Sequence, residues 1–159
     1  MDLSTAIPVG DLAFRLCAAA LCGAALGLDR EVRGKAAGLR THTLVAISAA
    51  VTTLVALELY EGLAYRTDSG NMDPTRVIQG VAQAIGFISA GVMIRAGTSV
   101  RGATTAAVIW MAGALGIACG AGFYVLAGMA LALCLIVTVL FTYAMRWLPG
   151  DVRNGEEEE

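Results

Sequence analysis

The residue types that could do chemistry are concentrated in residues 27–44, which read GLDREVRGKAAGLRTHTL. This segment holds two carboxylates, Asp29 and Glu31, and the only histidine of the chain, His42. Carboxylate oxygens are ligands that Mg²⁺ accepts while keeping several waters, so Asp29 and Glu31 are weak candidates for a metal site. The same segment contains four cations that would repel a metal ion, namely Arg30, Arg33, Lys35 and Arg40.

A simpler interpretation is that this segment only fixes the orientation of the chain in a membrane. Basic residues in short loops stay on the cytoplasmic side. That role accounts for the bases but not for Asp29 and Glu31, so both interpretations stay open. We expect the preceding helix to continue through Glu31, with Asp29 and Arg33 paired at i, i+4, and to end at Gly34. Thr41 or Thr43 is expected to cap the next helix.

A second polar segment, residues 94–110, resembles the first. In both, an arginine is followed three positions later by a threonine at the start of a predicted helix, Arg40 with Thr43 and Arg101 with Thr104. A helix start with hydroxyls and an arginine suits an anion, either a lipid phosphate or a small ligand. We hypothesise that both helix starts meet at one cytoplasmic functional cluster. Its predicted members are Asp29, Arg30, Glu31, Arg40, Thr41, His42, Arg95, Arg101, Thr104 and Thr105.

The elements that must position these groups are apolar helices. Hydrophobic residues make up 57% of the 159 residues and charged residues only 15%, against about 25% charged in soluble domains. Helices that span a bilayer need about 20 apolar residues. The sequence predicts an all-α membrane protein with five transmembrane helices in one domain, residues 1–150, followed by a short acidic disordered tail, 151–159. The predicted helices are 12–28, 41–60, 77–94, 103–119 and 123–148.

The distribution of basic residues predicts the orientation. Eight lie in the first and third connectors and the tail, whereas the second connector has Arg66 and Arg76. The N-terminus is therefore expected outside and the C-terminus in the cytoplasm, with Arg15 snorkelling to the outer surface. The residues assigned to the cytoplasmic side are Arg30, Arg33, Lys35, Arg40, Arg95, Arg101, Arg146 and Arg153.

Two further patterns lie within the predicted helices. Gln79 and Gln83 are polar groups at membrane depth, which either bond a neighbouring helix or serve function. Small-residue motifs allow close helix packing, either within the chain or in a homodimer. These motifs are Gly23 with Gly27 and Gly116 with Gly120. The tight Gly120-Ala121-Gly122 connector predicts a helical hairpin.

The sequence argues against several classes of function. A net charge of −2 makes nucleic acid an unexpected partner. There is no nucleophile, histidine and acid set and no metal-ligand pattern, so we expect neither an enzyme nor a bound cofactor. The four cysteines lie in apolar runs and are expected to be small packing residues.

Three segments together resemble the MgtC/SapB family of bacterial inner-membrane proteins. They begin at Gly27 (GLDREVRGKAAGLRTHTLV), at Asp73 (DPTRVIQGVAQAIGFISAGVMIR) and at Ser99 (SVRGATTAAVIWMAGALGIACGAGFY), and the match covers about residues 12–148. The sequence departs from the family pattern at Ala84 and Ser89, where glycine is usual.

The resemblance implies a five-helix domain in the inner membrane that is linked to magnesium homeostasis. It favours regulation of a membrane ATPase or transporter by helix contact, with divalent-cation transport or a channel as the alternative and Mg²⁺ as the one cofactor it suggests. The expected partners are the lipid bilayer, a membrane protein such as an ATPase, and a second copy of the chain. Many members continue into a soluble C-terminal domain, which we expect to be absent here.

Overall fold

The structure is a computed structural model that describes residues 6–64, 73, 75–96 and 99–145. It contains five helices and one short hairpin of strands. In chain order these are α1 (Val9–Val32), α2 (Leu39–Ala64), α3 (Thr75–Val92), β1 (Ile94–Ala96), β2 (Ser99–Arg101), α4 (Ala103–Gly120) and α5 (Tyr124–Met145). The predicted tail at 151–159, and Arg66, Arg146 and Arg153, lie outside the described residues.

Four of these helices are long and apolar enough to cross a membrane: Val9–Val32, Leu39–Gly62, Ala103–Gly120 and Tyr124–Tyr143. In lipid a chain must satisfy its backbone hydrogen bonds internally, and such runs do so as helices. The prediction of a multi-pass helical membrane protein is therefore confirmed for four helices. A membrane crossing by α3 stays a prediction.

Helix α1 continues through Glu31, as predicted, and is closed by the turn at Gly34. Gly34 has a φ of 65°. Its N–H donates to the Glu31 carbonyl at 3.0 Å, and the Lys35 N–H donates to the Arg30 carbonyl at 3.1 Å. This pair of bonds is the Schellman arrangement, which satisfies the last carbonyls of a helix and favours glycine at the left-handed position.

The end of α3 differs from its prediction. The helix stops at Val92, and β1 (Ile94–Ala96) pairs antiparallel with β2 (Ser99–Arg101), with Arg95 opposite Val100. The predicted helix end at residue 94 is therefore two residues too late, because the backbone groups of β1 bond to those of β2 instead. Gly102, with a φ of 86°, turns the chain into α4; a Cβ there would lie 2.7 Å from the Val92 carbonyl oxygen.

Helix α4 is the centre of the bundle. It packs against all four other helices. Of its 18 residues 56% are buried, whereas only 6% of an 18-residue apolar stretch of α5 is buried. Glycines permit this closeness: a Cβ at Gly120 would lie 2.8 Å from the Ala50 carbonyl oxygen, and one at Gly116 would collide with that of Ala46. The small-residue motif of α4 therefore packs within the chain, against α2.

The α4–α5 connector is the predicted tight hairpin. Gly122 has a φ of 85°, and the Phe123 N–H donates to the Ala118 carbonyl at 2.8 Å. Arg15 of α1 reaches the same turn, where its Nη1 donates to the Gly120 carbonyl at 2.9 Å. In the structure its cation meets the negative end of the α4 dipole, at the end of the bundle that the predicted orientation places outside, so that snorkelling to the outer surface stays a prediction.

Candidate functional site

One end of the bundle collects most of the predicted functional residues. We call it the charged end and define it by the last turn of α1, which carries Arg30, and the first turns of α2 and α4, which carry Leu39 and Thr105. The arrangement follows from connectivity, because α1 ends where α2 begins and the β1–β2 hairpin returns the chain to the start of α4.

The centre of the charged end is a hydrogen bond between α1 and α4. Arg30 Nη2 donates to Thr105 Oγ1 at 2.7 Å. Both side chains are buried, with 3% of Arg30 and 1% of Thr105 exposed. The bond brings the two polar segments of the sequence, 27–44 and 94–110, into direct contact.

Asp29 and Arg33 form the predicted i, i+4 ion pair, with Arg33 Nε donating to Asp29 Oδ1 at 2.9 Å. Both side chains are partly exposed. Pairs of this kind contribute about 0–1 kcal/mol to stability. The Asp29 carboxylate, which the sequence suggested as a weak metal ligand, is thus paired with Arg33.

Glu31 has a structural role that the sequence did not predict. Its Oε2 accepts the backbone N–H of Leu39 at 2.8 Å, at the first residue of α2. A carboxylate here satisfies a free N–H group and complements the helix dipole. The cap predicted for Thr41 or Thr43 is wrong, because α2 begins at Leu39, and the Thr43 hydroxyl donates to the Leu39 carbonyl of its own helix at 2.8 Å.

His42 is fully buried at the start of α2. Its Nδ1 lies 2.8 Å from the Gly38 carbonyl oxygen, so the neutral ring donates from Nδ1 and presents Nε2 as an acceptor. Among the described residues His42 Nε2 has no partner, and neither has the buried Nε of Arg30. Helix α1 approaches closely here, because a Cβ at Gly23 would lie 2.6 Å from the His42 carbonyl oxygen.

The remaining predicted site residues are exposed or half-buried, or their side chains lie outside the described residues. Arg40, Arg101 and Thr104 are exposed, and Thr41 is half-buried. The side chain of Arg95 lies outside the described residues. That Arg40 and Arg101 face one ligand stays a prediction, since the observed link between the two segments runs through Arg30 and Thr105 instead.

The predicted intramembrane polar groups are not at the charged end. Gln79 and Gln83 lie exposed on α3. Beside them an apolar groove of about 480 Å³ runs between α2 and α3. Glu58 of α2 accepts the backbone N–H groups of Ala6 and Ile7, both at 2.8 Å. An acid in an apolar helix predicts some donor, but the sequence does not indicate which.

The charged end offers little to a metal ion. Across the described ranges 6–64, 73, 75–96 and 99–145, no three His, Cys, Asp or Glu side chains are grouped for a metal. The two candidate carboxylates, Asp29 and Glu31, already accept hydrogen bonds from the protein. What the geometry provides is the buried guanidinium of Arg30 beside the start of α4, an arrangement suited to negative charge.

Comparison with known proteins identifies the family. The model of the MgtC family matches residues 16–147. Protein MgtC of Brucella abortus (strain 2308) is 39% identical over 133 residues, covering 84% of this chain and 52% of its own length. An Escherichia coli K12 protein named "Putative magnesium transporter YhiD" is 35% identical over 127 residues, covering 80% and 59%.

An uncharacterized Haemophilus influenzae protein is 33% identical over 135 residues, covering 84% of this chain and 57% of its own length. The chain thus spans little more than half the length of these relatives. No solved structure shows a significant match. The family match and the level of identity, over most of the chain, place this protein in the MgtC family.

Proposed function

We propose that this chain is an inner-membrane protein linked to magnesium homeostasis that acts by helix contact on a membrane ATPase or transporter, without catalysis and without carrying the ion. The proposal rests on how the charged side chains at the charged end are paired. Its carboxylates Asp29 and Glu31 bind the protein's own donors, and its buried ionic group is a cation, Arg30. A path for Mg²⁺ needs the opposite arrangement.

The outer surface supports a role in contact. Helix α5 is attached along one side only, and its apolar side chains are largely exposed, as are those of α3 at Phe87 and Ile88. Such surfaces face lipid or another membrane helix. Gly128 of α5 has no atom within 4 Å of its ideal Cβ, so a neighbouring helix could approach closely there.

The proposal includes the orientation. With α3 as a fifth crossing, the charged end lies in the cytoplasm and the N-terminus outside. The basic residues Lys35, Arg40 and Arg101 at this end support that orientation. It is tested by labelling single cysteines placed at Lys35 and at Asp11 in intact cells with an impermeant maleimide; labelling at Lys35 but not at Asp11 would contradict it.

The second candidate is a Mg²⁺ transporter or channel. It is favoured by the name of the Escherichia coli relative, which is called a putative magnesium transporter. Asp29 is the residue on which such a path would depend, because it is a partly exposed carboxylate at the membrane edge.

The two candidates are separated by reconstitution. The purified chain is placed in proteoliposomes that hold a fluorescent Mg²⁺ indicator, and influx is followed with the wild type and with Asp29→Ala. We expect influx equal to that of empty liposomes. Saturable influx that Asp29→Ala removes would establish transport. In parallel, co-purification of an ATPase from native membranes should be weakened by Gly128→Leu, on the outer face, in a chain that melts like the wild type.

A further inference from the structure

We propose that the charged end binds a phosphate group at the start of α4, held by Arg30, the Thr105 hydroxyl and the first backbone N–H groups of that helix. The phosphate is carried either by an anionic lipid headgroup or by a free phosphate compound. This binding site goes beyond the proposed function, because it can exist whether the chain regulates or transports.

The first argument is the charge of Arg30. The guanidinium is 97% buried, yet no carboxylate oxygen of the described residues lies within 4.0 Å of it. The adjacent Asp29 bonds to Arg33, and Glu31 bonds to the Leu39 N–H. The partner that Arg30 does have, the Thr105 hydroxyl, is neutral. A buried cation without an anionic partner is strongly unfavourable, so the site favours a bound anion.

The second argument is the donor that Arg30 leaves free. Its Nε is buried and has no partner among the described residues, whereas Nη2 is directed to Thr105 in the first turn of α4. Buried donors in native proteins are nearly always satisfied by protein, water or an ion. Arg30 Nε is therefore a free donor on a side chain that already lies beside the start of α4.

The third argument is the helix start itself. Helix α4 follows Gly102, which has no side chain that could cap the N-terminus of the helix. The first N–H groups of a helix lack partners in their own helix and carry the positive end of its dipole. Ala103 is exposed while Thr105 is buried, so the first turn of α4 extends from solvent to Arg30. A ligand can therefore enter from the surface.

A phosphate group fits these donors better than a single-atom anion. Its oxygens can accept from the guanidinium, from the hydroxyl proton of Thr105 and from backbone N–H groups at once. Thr105 Oγ1 accepts from Arg30, which leaves its own proton to donate. Arg30 lies two residues before Val32, the last residue of the apolar helix α1, so a lipid phosphate at the edge of the membrane is one source of the group.

The test uses the full chain in detergent and compares Arg30→Gln and Thr105→Val with Lys35→Gln, which removes a half-buried cation at the same end. Inorganic phosphate is titrated at constant ionic strength against chloride, and binding is read from the shift in melting temperature and from ³¹P NMR. We expect binding that weakens at least tenfold in both site variants and less than twofold in Lys35→Gln. If Arg30→Gln does not fold, Thr105→Val and Thr105→Ser carry the comparison, with the hydroxyl of serine retaining binding.

The lipid source is tested on the same samples by native mass spectrometry. A phospholipid that stays bound to the delipidated wild type, is lost from Thr105→Val and is kept by Lys35→Gln would assign the phosphate to a headgroup. Binding of inorganic phosphate with the same dependence, and no retained lipid, would assign it to a free compound. Equal effects of chloride and phosphate, equal losses in all variants, or no binding of either probe would overturn the proposal.

Discussion

Arg30 and Thr105 lie 75 residues apart in sequence and share a buried hydrogen bond of 2.7 Å. The bond joins the last turn of α1 to the first turn of α4, the central helix of the bundle. A change that removes this bond therefore affects both the packing of α1 against α4 and the polar groups of the charged end.

Replacing Thr105 by valine, which has nearly the same shape, should lower the free energy of unfolding by about 1–3 kcal/mol, because it leaves a buried guanidinium donor unsatisfied. Thr105→Ser keeps the hydroxyl and should retain most of the stability. The measurement is thermal unfolding in detergent. Thr52→Val is the control, since the Thr52 hydroxyl is exposed and bonds its own helix. Equal melting of the Thr105→Val and wild-type proteins would contradict the buried bond.

Gly116→Ala should destabilise the bundle by about 1–3 kcal/mol, because a Cβ there collides with the Ala46 carbonyl of α2. Gly128→Ala, on the exposed face of α5, meets no atom within 4 Å. It should leave stability unchanged or raise it by about 0.5–1 kcal/mol, because alanine loses less backbone entropy in a helix. Melting curves of the two variants give the comparison, and the reverse order would be incompatible with the central position of α4.

Glu31→Ala removes the carboxylate that accepts the Leu39 N–H and should cost about 1 kcal/mol, a typical loss for a helix cap. Glu31→Gln keeps an acceptor oxygen and should lose less. Thr43→Ala is the control, because the Thr43 hydroxyl donates to a carbonyl of its own helix. Hydrogen exchange at the amides of 39–41, measured by mass spectrometry, should accelerate in Glu31→Ala alone. Acceleration in Thr43→Ala alone would instead indicate that Thr43 caps the helix, as the sequence predicted.

The start of α3 should depend on pH. The Thr75 hydroxyl and backbone N–H donate to Asp73 Oδ1 at 2.6 and 2.9 Å, and these bonds hold the pKa of Asp73 below its ordinary value. A lowered folded pKa means that the stabilisation is present above the unfolded pKa, about 4, and is lost as the pH falls through the folded pKa. Thr75→Val should raise the pKa of Asp73. A carboxyl ¹³C NMR titration measures it, and an Asp73 pKa at or above the ordinary value in the wild type would disprove the interaction.

Asp29→Ala and Arg40→Ala should each abolish function without preventing membrane insertion. The Asp29–Arg33 pair is partly exposed, so its loss changes stability by less than about 1 kcal/mol. Arg40 is exposed. The measurement is growth of a deletion strain in low magnesium, with insertion followed by membrane fractionation. If both variants restore growth, the first connector serves orientation alone.

The architecture was largely readable from the sequence, because apolar runs between charged connectors leave few alternatives in a bilayer. The α1 extension through Glu31 and the hairpin at Gly122 followed from local signals. The end of α3 did not, since the chain there can continue as a helix or pair as strands, and only tertiary contacts near Gly102 decide between them.

The site was predictable in composition but not in pairing. Asp29 with Arg33 is a local i, i+4 pair and follows from helix geometry. Arg30 with Thr105, and Arg15 with the Gly120 carbonyl, depend on how distant helices pack, and a single sequence carries no signal for that. Glu31 was predicted as a functional acid, yet its contact across a short turn with Leu39 only appears once the start of α2 is known.

The order of the helices along the chain has a consequence for biogenesis. Because α4 is the central helix but the fourth to be synthesised, the first three helices are made before the element that holds them together. At about 5–20 residues per second, the 75 residues between Arg30 and Thr105 take about 4–15 seconds to make. During that interval Arg30 lacks its hydrogen-bond partner Thr105, so the nascent chain passes through a loosely packed stage whose duration is set by the rate of translation.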